Sequence, residues 1–172
     1  RDLNHCVRDL EKNGMLKRIP VEVDPHLEMA AIHRRVVQAE GPALFFEKVK
    51  GSPFPCVSNL YGTWKRTEFI FRGSTEPVRE AIRLKLDPPG TLRRLSKSPS
   101  GLFSLLRTGL HSLPRLALRP QVLQNETRLC HLPKIKSWPE DGGAFITLPQ
   151  VLSQSPHSSS IMATNLGMYR VQ

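Results

Sequence analysis

The sequence predicts an α+β fold. Three observations carry that expectation. Apolar residues recur at helical spacing in the first forty residues, short runs of β-branched and aromatic residues separate those stretches, and beyond about residue 130 the pattern turns to strands. Residues 1–112 therefore read as an N-terminal α+β domain, residues 113–129 as a connection, and residues 130–172 as the start of a second, β-rich domain.

Each element has a local reason. Leu3, Cys6, Val7 and Leu10 share a helix face and Gly14 follows as a left-handed stop, so the chain opens with an amphipathic helix. MLKRIPVEV reads as a strand with Pro20 at an edge or a bulge, because proline cannot donate to a ladder. In VDPHLEMAAIHRRVVQAEGP, Asp24 is placed to cap a helix and Pro25 suits its first position. Met29, Ile32 and Val36 form its inward stripe, and Gly41-Pro42 ends it. ALFFE follows as a short buried strand. KGSPFPCVSNLYGTWKR sets small-residue turns around a PCVSNL strand, ahead of a helix from Thr63 to Phe71. A further helix begins near Pro77, with Val78, Ile82 and Leu86 on one face, and stops at Asp87-Pro88-Pro89. The core drawn from these faces includes Leu10, Ile32, Val36, Leu44, Phe45 and Ile82. SGLFSLLRTGLHSL reads as a helix, with Pro114 and Pro120 as breakers beyond it. Finally AFITLPQVLS and SSIMATNLGMYRVQ read as two strands joined by the polar loop QSPHSSS. Two antiparallel strands alone are marginal in water, so these need partners.

Composition narrows the function classes. With 39% hydrophobic and 23% charged residues the chain is globular in type, and its 15 prolines imply many turns. No apolar run approaches the roughly 20 residues that span a bilayer. The opening RDLNHCVRDLEKNG has neither an initiator Met nor an apolar signal core, and both ends read as cuts. Cys6, Cys56 and Cys130 are odd in number and widely spaced, which fits a reducing cytoplasm better than a disulfide framework. The net charge of +10 is concentrated between Arg79 and Lys136, where twelve basic residues face three acidic ones. Without aromatic interleaving or a zinc-finger spacing, that stretch offers no specific nucleic-acid readout.

Known catalytic spacings are mostly absent. There is no GxSxG, HExxH, GxxxxGK[ST] or GxGxxG. His26 and His33 lack a third ligand, and His131 beside Cys130 is no stronger. The glycines of EDGGAF suit either a tight turn or a close backbone approach to a ligand. TNLGMYR is richer: alternation puts Asn165, Gly167 and Tyr169 on one face and Leu166, Met168 and Arg170 on the other. An Asn carbonyl suits a hard cation and an Arg fork suits carboxylate or phosphate.

LEKNGMLKRIPVEVDPHLEMAAIHRR, GPALFFEKVKG, NLYGTWKR, LPKIKSWPEDGGAFITLP and NLGMYRVQ, in this order, resemble the front part of the UbiD family, the polyprenyl-hydroxybenzoate carboxy-lyases of quinone biosynthesis. Ser74 to Arg128 carries least of the likeness, and Ser137 stands where the family commonly has Cys. The resemblance implies that the second domain is the truncated start of a split β-barrel similar to flavin reductases. It also implies site roles. Asn165 becomes a ligand of the manganese ion (Mn2+) that clamps the phosphate of prenylated FMN. Met168, Tyr169 and Arg170 line that flavin, and Arg170 is also catalytic. The reaction implied is reversible, non-oxidative decarboxylation of an aromatic acid such as polyprenyl-4-hydroxybenzoate, in ubiquinone or menaquinone biosynthesis. The partners implied are the aromatic carboxylic acid substrate, a flavin prenyltransferase as cofactor supplier, and further copies in a homo-oligomer at full length. The location implied is cytoplasmic, with peripheral association with the inner membrane. The family's catalytic glutamates and other metal ligands come later in its sequences, so these 172 residues are expected to be inactive alone. The alternative is a non-catalytic basic module that meets an acidic protein, nucleic acid or anionic lipid.

Overall fold

The computed structural model describes residues 2–96, 99–112 and 124–172. Contacts gather the chain into two compact units, Arg1–Thr67 with Gln121–Gln172, and Glu68–Pro120.

The first unit opens with α1 (Leu3–Lys12), where the Asp2 carboxylate accepts from the His5 amide at 2.7 Å and so caps the helix. Val7 and Leu10 bury its inner face. Gly14 then turns the chain at φ 66°, a conformation that only glycine adopts freely. β1 (Leu16–Val23) and β2 (Ala43–Val49) run parallel, and α2 (Glu28–Gln38) supplies the crossover that parallel neighbours need. The register slips between Ile19 and Glu22, so Pro20 sits in a bulge, and in the order β1-β2-β3 it also lies on an edge strand. β3 (Cys56–Ser58) pairs antiparallel with β2, Leu44 opposite Ser58.

Val23, Met29, Leu44, Phe46 and Val49 form the core, with Ile32 and Val36 of α2 packed against it. Phe46, at 0% exposure, is its centre. The sequence pattern places Phe45 there too, but it alternates to the other face of β2, where it is only half-buried. Its ring lies under the Arg18 guanidinium at 4.8 Å, while that fork binds Glu11 and Glu47.

α2 begins later than the sequence predicts. Asp24 does not cap it and Pro25 is not its first residue: the cap position is Leu27, at φ 70°. The reason is long-range, because the backbone of Pro25 and Leu27 is committed to Lys136 (Lys136 N–H to Pro25 O, 3.1 Å; Leu27 N–H to Lys136 O, 2.9 Å). The Asp24 carboxylate instead accepts from the His26 amide and from Lys50 Nζ, each at 2.8 Å.

After α3 (Trp64–Ile70), the second unit contains α4 (Thr75–Leu86), α5 (Pro88–Ser96) and α6 (Pro99–Ser112), which pack pairwise. Pro88 and Pro89 end α4 but also open α5, where proline at a first helical turn costs nothing. Periodicity places Ile82 in the core, yet it is 53% exposed, with Val78 and Leu86 beside it. Glu80 explains the rotation: its carboxylate binds Arg83 and Arg94, which turns the Glu80 side of α4 toward α5.

Returning to the first unit, a 3-10 turn at Leu129–His131 leads to β4 (Gln150–Gln154), and another at Ile161–Ala163 leads to β5 (Thr164–Met168). The two strands pair antiparallel, from Gln150 opposite Met168 to Gln154 opposite Thr164. The AFI residues lie outside this ladder; Phe145 bridges to Ile135 and Ile146 to Val171. Of the connection expected at 113–129, residues 113–123 lie outside the described residues.

Candidate functional site

The segment that carries the expected site is held at both ends. Ser160 Oγ accepts from the Met162 amide and starts the 3-10 turn that feeds β5. Beyond β5, Tyr169 N–H reaches Pro149 O and Val171 pairs with Ile146. Asn165 faces Ser153 across the ladder. It is exposed, and among the described residues its side-chain amide makes no hydrogen bond. A Cβ on Gly167 would lie 2.5 Å from the Tyr169 ring, so that ring covers the glycine, on the face that alternation assigns to both. Met168 and Tyr169 are exposed. The Arg170 guanidinium stacks on Phe145 at 4.2 Å. The structure thus brings Gly167 and Tyr169 together and spreads Asn165, Met168 and Arg170 along one exposed strand end. The glycines of EDGGAF leave room for the Gln172 amide, 3.0 Å from a Cβ built at Gly142.

These residues can be tested against the expected groups. No cluster of three His, Cys, Asp or Glu able to hold a metal exists among the described residues. A single neutral amide oxygen does not bind manganese by itself, so the metal does not fit this donor set as it stands. Alternation sets Met168 and Arg170 on one face and Tyr169, over Gly167, on the other, so a thioether and a guanidinium stand exposed together and fit a planar anionic cofactor.

The sequence pattern gives no sign of a cleft of about 660 Å³ in the same unit, lined by His33 and Arg34 of α2, Cys56 and Ser58 of β3, Trp138 and Leu148. His33 Nδ1 lies 2.5 Å from Ser58 Oγ. Arg34 donates to Ser137 O at 3.0 Å and stacks over the Trp138 ring at 4.8 Å. Burial, with Arg34 adjacent, holds His33 below its ordinary value near 6.5. Burial also pushes the Cys56 thiol up to about 11, which keeps it protonated and unreactive.

Beneath the rim of the cleft lies a buried polar knot. Asn59, 6% exposed and at φ 58°, donates to the carbonyls of Gly41 and Pro42. Arg66, 4% exposed, donates to Leu60 and to Gly41. Any Cβ at Gly62 would lie 1.7 Å from Asn59 Oδ1, so only glycine fits between these side chains. The NLYGTWKR block is therefore a packing unit, and the signal for it was one glycine flanked by Asn and Arg without any helical or strand period.

Comparisons with known proteins agree on one family. The profile described as the 3-octaprenyl-4-hydroxybenzoate carboxy-lyase (UbiD) N-terminal domain matches residues 7–85, and the one described as its Rift-related domain matches residues 115–172. A protein of Chlamydia trachomatis serovar D is 46% identical over 174 residues, covering 99% of this chain and 29% of the relative. A Chlamydia pneumoniae protein, named as a subunit of 4-hydroxybenzoate decarboxylase, is 42% identical over 150 residues, covering 87% of this chain and 25% of the relative. Among solved structures, the UbiD-class enzyme HmfF from Pelotomaculum thermopropionicum, in complex with FMN, matches with a TM-score of 0.66 at 23% identity, over 99% of this chain and 34% of that one. The chain thus spans about a third or less of each of these proteins.

Proposed function

The chain belongs to the UbiD family of carboxy-lyases, and from that premise we propose that it is the front part of a non-oxidative, reversible decarboxylase of an aromatic carboxylic acid. The observation that carries this reading is the order of the two family matches, 7–85 then 115–172, which together reach Asn165 of β5 and Arg170 just beyond it. Residues 1–112 and 130–172 are kept as two domains joined at 113–129. The family matches, 7–85 and 115–172, divide the chain earlier, at 86–114, while within these 172 residues the last segment packs on the first. The hairpin β4–β5 is the start of a flavin-reductase-like split barrel. Its exposed Leu152, Leu166 and Met168 support that reading, because two strands cannot cover such side chains themselves.

Prenylated FMN, when bound, supplies the electron sink for the pair left behind by carbon dioxide. This chain's residues bind and orient. Met168 and Tyr169 contact the flavin, and Arg170 holds the substrate carboxylate by its fork. Asn165 would contribute one oxygen to a manganese ion, which needs further ligands to be held. A polyprenyl-4-hydroxybenzoate and a role in quinone biosynthesis are the substrate and pathway this reading favours, with a flavin prenyltransferase as cofactor supplier, a homo-oligomer at full length and a cytoplasmic location.

Reconstitution with prenylated FMN and manganese, followed by desalting, an absorbance spectrum and a carbon dioxide assay, tests the proposal. In the full-length enzyme, Asn165→Ala loses cofactor on desalting, whereas Arg170→Ala keeps the flavin and lowers kcat by about a hundredfold or more. The 172-residue chain alone retains no flavin and releases no carbon dioxide. Stoichiometric flavin and turnover in the short chain, or full retention by Asn165→Ala, overturns these assignments.

A further inference from the structure

The cleft between α2, β3 and residues 135–148 is an apolar space with a single charge in its lining. Met29, Val57, Leu60 and Ile135 supply apolar walls. No Asp or Glu lines it, and burial keeps His33 neutral, so Arg34 is that charge. Its guanidinium is half-buried. Ser137 O takes one of its N–H donors, and its plane covers one face of the Trp138 ring. Among the described residues no carboxylate pairs with it, and Asp141 Oδ2 is engaged by the Ser137 and Trp138 amides, at 3.3 and 3.0 Å. Trp138 is thereby held in the lining while 57% exposed.

A half-buried cation in apolar surroundings is costly unless an anion meets it. The remaining donors of the Arg34 fork suit a carboxylate or a similar planar oxyanion. One guanidinium answers one negative charge, which disfavours a nucleotide or any other polyanion. At about 660 Å³ the cleft has the size of a small-molecule site, and its walls and the Trp138 indole suit a flat ring, which meets an indole edge to face as well as stacked. We propose that this cleft binds a small planar aromatic monoanion, its oxyanion on the Arg34 fork and its ring among Trp138 and the apolar walls. None of Asn165, Met168, Tyr169 and Arg170 lines the cleft, so the inference rests on this cleft and not on the decarboxylase reading.

Calorimetric titration of the 172-residue chain with 2-naphthoate, without flavin or metal, tests it. The acid binds about tenfold or more tighter than 2-naphthamide, which lacks the charge, and about threefold or more tighter than decahydro-2-naphthoate, which keeps the charge and loses the flat ring. Arg34→Gln weakens naphthoate about tenfold or more and Trp138→Leu about threefold or more. Leu148→Glu sets a like charge in the lining and also weakens it about tenfold, while its thermal melt stays unchanged because Leu148 is 67% exposed. No measurable binding, equal binding of acid and amide, or undiminished binding in Leu148→Glu overturns the proposal. So does binding that Arg170→Gln abolishes and Arg34→Gln keeps, because the anion would then sit at the strand end; that outcome leaves the decarboxylase reading standing.

Discussion

His33 is a neutral ring held against Ser58 in a half-buried position, with the Arg34 charge beside it. Both burial and that charge disfavour the imidazolium. In the unfolded chain the ring takes up its proton near 6.5, whereas in the folded protein it does so only at lower pH. Between those values the unfolded state binds more protons, so the stability that is fully present above pH 6.5 is lost as the pH falls toward the folded value. The urea midpoint should therefore hold steady from pH 8 to about 7 and decline below about 6.5, and His33→Gln should flatten the decline. Identical slopes for the two proteins would remove His33 from the account. None of this was visible from the sequence, where His33 is one histidine of six, seven residues from His26 and without a third ligand.

The crossover β1–α2–β2 and helix α4 look alike as patterns, each an apolar stripe at 3.6-residue spacing, yet only the first is buried. α2 lies against Phe46 and Leu44 of a sheet. α4 lies against other short helices, and Glu80 draws its polar side inward by binding Arg94. Periodicity states that a face exists, whereas the partner that covers it is set elsewhere in the chain. Ile32→Asp should cost about 3 kcal/mol or more, because it sets an unpaired carboxylate against the core. Ile82→Asp on exposed α4 should change stability by no more than about 0.5 kcal/mol. Equal losses for the two, read from thermal melts, would contradict this difference in burial. The β4–β5 hairpin was legible for a firmer reason: its polar loop and its alternation are both local signals, and the ladder needs nothing distant to define it.

At the scale of the whole molecule, the first unit is made from two stretches far apart in sequence, and Lys136 joins them by exchanging backbone hydrogen bonds with Pro25 and Leu27. The late start of α2 follows from that junction, so no reading of residues 24–30 alone would have found it. Lys136→Pro removes the N–H that binds Pro25 O; amide exchange at Leu27 should then quicken about tenfold or more while the β1–β2 amides keep their protection. Equal loosening of the β1–β2 amides would mean that the two stretches fold as one indivisible body. The same junction orders events on the ribosome. Arg34 is separated by 103 residues from Ser137, whose carbonyl it binds. At synthesis rates of about 5–20 residues per second, its guanidinium waits about 5–20 s for that carbonyl to be made. During that interval α2 can pack on the emerging sheet, but its entry turn and the Trp138 side of the cleft do not yet exist, so the nascent chain completes its sheet before its cleft.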